Sequence, residues 1–140
     1  MIGKRLVVIA AALAATLAAA QGASAQGPGG AGARGSGSSL SVVLMDSTDG
    51  LAHFGQNVTF KLSTTATSQP FVRLNCYQSG AWVYTSSVGY FAGYPWDQYF
   101  TLESGNWTSG AGDCTATLYS VNSKTRKETD LASVSFHVYA

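Results

Sequence analysis

Between Gln56 and Thr64 the chain alternates with period two, Val58, Phe60 and Leu62 against Thr59, Lys61 and Ser63. Such alternation marks a strand with one face in a core and the other in water. The pattern recurs along the chain. Leu40–Met45 is an apolar run closed by the turn-forming Asp46-Ser47-Thr48-Asp49-Gly50. Pro70 introduces Phe71–Gln78, where Val72, Leu74 and Cys76 share one face and Arg73, Asn75 and Tyr77 the other. Ser79-Gly80 then reads as a two-residue hairpin into Ala81–Val88. Gln98–Glu103 spaces Phe100 and Leu102 by one, and Asp113–Val121 turns Cys114, Ala116 and Leu118 inward. Beyond a charged turn over Asn122–Asp130, Leu131–Tyr139 aligns Ala132, Val134, Phe136 and Val138. Leu51-Ala52-His53-Phe54 reads as turn and Gly105–Gly112 as loop. No helical periodicity follows residue 39. Seven short strands with turn residues between them predict an all-β, antiparallel sandwich.

The N-terminus follows a different pattern. Lys4 and Arg5 precede an apolar run, Leu6–Ala20, and Ala23-Ser24-Ala25 supplies a small-residue cleavage motif. This predicts a signal peptide over residues 1–25, removed before Gln26, and hence a secreted protein. The run is shorter than the roughly 20 residues a membrane span needs. With no second hydrophobic segment, no membrane span is expected. Residues 26–39 (QGPGGAGARGSGSS) are Gly- and Ser-rich and predict a flexible, disordered linker. The folded domain is expected over residues 40–140.

Composition narrows the function classes. With the leader gone, eight basic residues become six against seven acidic, because Lys4 and Arg5 leave with it. A near-neutral domain whose sole basic cluster, Lys124, Arg126 and Lys127, adjoins Glu128 and Asp130 has no nucleic-acid footprint. Cys76 and Cys114 are an even pair in an exported chain and predict one disulfide, two buried thiols being the alternative.

Several residues give the domain a family likeness. Gly55-Gln56-Asn57-Val58-Thr59-Phe60, Cys76, Trp82, Phe100-x-Leu102 and Gly112-Asp113-Cys114-x-Ala116 together resemble an immunoglobulin-like sandwich of the kind found in small secreted bacterial proteins. The resemblance implies a fold and no activity. Three features depart from the antibody arrangement. Cys76 falls on the third predicted strand, Trp82 follows it by only six residues, and Gly112 stands where a tyrosine corner would be. If the third and sixth strands are neighbours, the disulfide joins strands of one sheet.

Chemistry-bearing residues are sparse. His53 and His137 are the only histidines, and no spacing makes them a metal pair, so neither metal nor cofactor is expected. Asp46 and Asp49 read as turn formers. Asp97 and Glu103 offer a carboxylate pair for a small secreted hydrolase, with nothing further behind that alternative. Asn57 and Asn106 head glycosylation sequons that matter in a eukaryotic secretory path alone. The distinctive feature is aromatic: Trp82, Tyr84, Tyr90, Phe91, Tyr94, Trp96, Tyr99 and Phe100 crowd into 19 positions, around a loop over Gly89–Asp97. A strand buries only alternate residues, so one core cannot take all these rings. The expected function is therefore non-enzymatic binding of an extracellular protein or glycan by a monomer. The expected contact residues are Trp82, Tyr84, Tyr90, Tyr94 and Trp96. The alternative is a passive envelope protein whose loop buries its own rings.

Overall fold

A computed structural model describes residues 31–32 and 37–140. The predicted leader and most of the linker lie outside the described residues. Of the linker, residues 31–32 form β1 (Ala31–Gly32), paired with Ser41 and Leu40, and Ser39 opens β2 (Ser39–Leu44). The remaining strands are β3 (Ala52–His53), β4 (Asn57–Ser63), β5 (Phe71–Gln78), β6 (Ala81–Gly89), β7 (Phe100–Thr101), β8 (Gly112–Val121) and β9 (Glu128–Tyr139). The described residues are all-β, in two sheets. The first has the order β1-β2-β4-β7 and is antiparallel throughout; the second has the order β3-β9-β8-β5-β6, with β3 alone running parallel to its neighbour β9.

One core lies between the sheets. Leu40, Val42, Val58, Phe60 and Phe100 face it from the first; Val72, Leu74, Ala116, Leu118, Val134 and Phe136 face it from the second. These are the positions that the alternation places inward. Phe60 sits edge-on to Phe100, with ring centroids 5.5 Å apart, and reaches Phe136 across the gap at 6.4 Å. The Ser79-Gly80 hairpin has both residues at positive φ, 50° and 79°, as a two-residue turn matched to strand twist requires.

Cys76 and Cys114 form the disulfide and are direct register partners on β5 and β8, with Cα atoms 4.1 Å apart. The bridge is cross-strand within one sheet, as expected if the third and sixth predicted strands are neighbours, which β5 and β8 are. The buried tryptophan is Trp107, only 2% exposed. It lies in the loop before β8, its indole N–H donating to the Gly110 carbonyl at 3.1 Å. A Cβ at residue 112 would come within 2.9 Å of the Trp107 ring and 3.0 Å of the Tyr77 carbonyl oxygen, so glycine stands there because tryptophan lies against it.

Three local expectations change. The turn expected over Asn122–Asp130 ends at Lys127, because Glu128, Thr129 and Asp130 pair with Val121, Ser120 and Tyr119 and open β9. The predicted strand Gln98–Glu103 shrinks to Phe100–Thr101, which pairs with Asn57 and Val58 alone. Further along β4, the Thr59 hydroxyl donates to the Gln98 carbonyl at 2.6 Å, so a side chain supplies the bond a ladder would have made. Leu51–Phe54 is not all turn. Ala52 and His53 form β3 beside Val138 and Tyr139, and Phe54 N–H donates to Tyr139 O at 2.8 Å. Two residues are too few for a periodicity to reveal.

Candidate functional site

The five-stranded sheet has an inner face on the core and an outer face. Its ends differ because different chain segments reach them. One end carries Phe71, Gly89 and Tyr119; the other carries Tyr77, Trp82, Asp113 and the disulfide.

At the Phe71 end the loop after β6 folds back over the outer face. Phe71 stacks on Tyr119 at 5.7 Å and meets Phe91 edge-on at 5.5 Å, while Phe91 meets Tyr94 edge-on at 5.5 Å. A Cβ on Gly89 would lie 2.5 Å from the Tyr94 ring and 2.6 Å from Phe91, so both rings rest on bare backbone. The Arg73 guanidinium covers Tyr119 at 4.4 Å from the ring centroid and pairs with Glu128 at 2.6 Å. A second, aromatic core thus forms on the outer face. Tyr90 is tied in from the other side. Its hydroxyl lies 3.1 Å from the Thr59 hydroxyl and donates to the Gln98 carbonyl at 3.3 Å, and burial raises its phenol pKa. Trp96 stays outside. It stands edge-on to Tyr94 at 5.4 Å and is 71% exposed.

The five expected contact residues therefore separate. Tyr90 and Tyr94 form the base of the loop, and Trp96 stands on it. Tyr84 belongs elsewhere: it is half-buried, meets the ring of Trp107 at 6.4 Å, and desolvation raises its phenol pKa. A bulge opposite Cys76 turns Val83 and Tyr84 both toward the inside, which alternation alone does not anticipate. Trp82 is 61% exposed, but it sits at the opposite end of β6, seven residues and about 20 Å of strand from Gly89. Sequence proximity of Trp82 and Tyr84 to the loop does not become spatial proximity, because a strand keeps its ends apart.

At the same end of the sheet as Trp82 lie residues outside the expected set. Tyr77, directly opposite Trp82 on β5, is exposed, and so is Tyr139. Tyr139 receives His137 edge-on at 4.6 Å and lies tilted against His53 at 5.8 Å. Each histidine holds one aspartate: His53 Nε2 with Asp49 Oδ2 at 2.7 Å, and His137 Nδ1 with Asp113 Oδ1 at 2.8 Å. The hydrogen bond from the Leu51 backbone N–H, then that with His53, lowers the Asp49 pKa to about 2; the bond to Asp49 in turn raises that of His53. Outward positions for Tyr77 and His137 were legible in the alternation. Their assembly was not, because it depends on pairing between distant strands.

Among the described residues no three His, Cys, Asp or Glu side chains converge on a metal position. Asp97 lies in the loop before β7 and Glu103 just after β7, both exposed, and His137 Nδ1 is bonded to Asp113. No helix among the described residues is long and apolar enough to cross a membrane. In comparison with known proteins, no family model, curated protein or solved structure matches the chain.

Proposed function

We propose that the domain is an exported, non-enzymatic recognition module of immunoglobulin-like type, binding an extracellular protein or glycan through the loop centred on Trp96. The observation that carries this reading is a 71% exposed tryptophan held on a packed ring base. Phe91, Tyr94, Phe71 and Tyr119 fix the loop before any partner arrives. A contact that is already ordered loses little entropy on binding, and a tryptophan can bury a large area through one side chain. Tyr99 adds a second exposed ring on the same loop. The cross-strand disulfide supports the exported setting, since such bridges persist in oxidising compartments.

The test is a screen of the mature domain on extracellular-protein and glycan arrays, with Trp96→Ala alongside. The expected result is a ligand whose binding falls at least tenfold in the variant while the melting temperature holds. A ligand bound equally well by Trp96→Ala contradicts the assignment to this loop. Absence of any ligand on both arrays favours the passive envelope reading, for which the buried ring cluster would be structural alone.

A further inference from the structure

On the outer face of the five-stranded sheet, at the disulfide end, Trp82, Tyr77, Asp113 and His137 are successive register partners on β6, β5, β8 and β9. Directly opposed residues project from the same face, so the four side chains form one row across the sheet. At about 4.8 Å per strand the row spans about 14 Å, enough for several sugar units in a chain. Its frame is rigid. Cys76–Cys114 is the next register pair behind Tyr77 and Asp113, and it ties β5 to β8 beneath the row. The Trp82 indole N–H donates to the Tyr84 carbonyl at 2.9 Å, which sets the ring plane and uses its one donor, leaving a ring surface for contact. Next to the row, between β8 and β9, lies an open groove of about 430 Å³ lined by Asp113, Thr115, Ser135 and His137.

The chemistry of the row selects among occupants. Its exposed full charge is the Asp113 carboxylate, paired with the His137 imidazole. The described Lys and Arg side chains lie elsewhere: Lys61 on β4, Arg73 at the far end of β5 on Glu128, and Lys124, Arg126 and Lys127 in the turn between β8 and β9. A polyanion would meet no cation here and one like charge. An apolar peptide or lipid would desolvate the exposed Asp113 carboxylate without replacing its hydrogen bonds to water, and would leave the mutually bonded Thr115 and Ser135 hydroxyls, 2.9 Å apart, without further partners. A neutral sugar chain satisfies both halves of the surface. Its C–H faces stack on Trp82 and Tyr77, and its hydroxyls bond the carboxylate, the imidazole and the two side-chain hydroxyls. From this we infer that the row is a binding site for a neutral polysaccharide. The site is separate from the Trp96 loop and does not depend on it.

The experiment is a depletion assay of the mature domain on insoluble cellulose, chitin and β-1,3-glucan, with calcium alginate as the anionic control. Trp82→Ala, Asp113→Ala and Trp96→Ala are compared, each checked by thermal melting. The expected result is retention on at least one neutral polymer and little on alginate. Apparent affinity should fall tenfold or more for Trp82→Ala and severalfold for Asp113→Ala, the loss in Trp82→Ala exceeding any in Trp96→Ala. Retention on none of the neutral polymers overturns the inference, as does equal retention of Trp82→Ala. Loss in Trp96→Ala with Trp82→Ala unaffected also overturns it, and would locate sugar binding on the loop, so the two readings fail separately.

Discussion

The two ends of one sheet face treat aromatic residues in opposite ways. At the Phe71 end, rings are spent on structure: Phe91 and Tyr94 lie on the bare backbone of Gly89, Phe71 stacks on Tyr119, and Arg73 closes the stack. At the other end Tyr77, Trp82 and Tyr139 face solvent, and a covalent bridge between β5 and β8 does the work of holding the frame. Where ring packing stabilises the scaffold, few rings remain for contact, and Trp96 and Tyr99 are the exposed ones on the loop. Where a disulfide stabilises it, the rings are free. Aromatic density along a sequence therefore says little about where a contact surface is; what lies beneath the rings decides.

The largest expected effect separates the three tryptophans. Trp107→Ala should destabilise the fold by about 3–5 kcal/mol, as truncation of a large core side chain does. Trp82→Ala and Trp96→Ala should each cost within about 0.5 kcal/mol. Urea titration of the three variants checks this, and equal losses at all three would erase the distinction between buried and exposed rings. Next comes the bridge. Replacing both cysteines by alanine should cost about 2–4 kcal/mol, an unfolded-state effect for the most part. The structure adds a spatial expectation: amide exchange should quicken most along Tyr77 and Asp113, and little at Phe91 and Tyr94.

Gly89→Ala probes the opposite end. Its new methyl has no room beneath Tyr94 and Phe91, so a loss of about 1–3 kcal/mol is expected, with Trp96 anisotropy falling as its base loosens. A melting temperature equal to that of the parent would show that the rings do not rest on that backbone.

The smallest effect is electrostatic and sits at the disulfide end. Asp49 titrates near 2 in the folded protein, below its ordinary 3.8, so its stabilising contribution is present above about pH 4 and fades as pH falls through 2. His53 is shifted the other way, above 6.5, so its contribution is complete below that pH and is lost as pH rises through the folded value. The Asp49–His53 link, and with it the docking of β3 beside β9, should be strongest between about pH 4 and 6. An NMR titration of His53 should show a midpoint above 6.5 that drops in Asp49→Asn. An unchanged midpoint would dissolve the link.

Much of the frame was readable from the chain. Alternation located the long strands to within a few residues, and counting strands to Cys76 anticipated a bridge within one sheet, which Cys76↔Cys114 pairing on β5 and β8 is. What stayed hidden is non-local. The buried tryptophan was unreadable because Trp107 sits in a Gly- and Ser-rich loop, and only folding brings it onto Gly112. Tyr84 pointed inward through a bulge that no local pattern signals. The row of Trp82, Tyr77, Asp113 and His137 needs the register of four strands at once, although the outward positions of Tyr77 and His137 were already in the pattern.

The central claim is that Trp82 and Trp96 stand in solvent while Trp107 fills the core. Acrylamide quenching of the parent against a Trp82→Phe, Trp96→Phe double variant tests it most directly. The account predicts that the parent is readily quenched with red-shifted emission, and that the double variant, left with Trp107 alone, is shielded and blue-shifted. A double variant quenched as readily as the parent would contradict it.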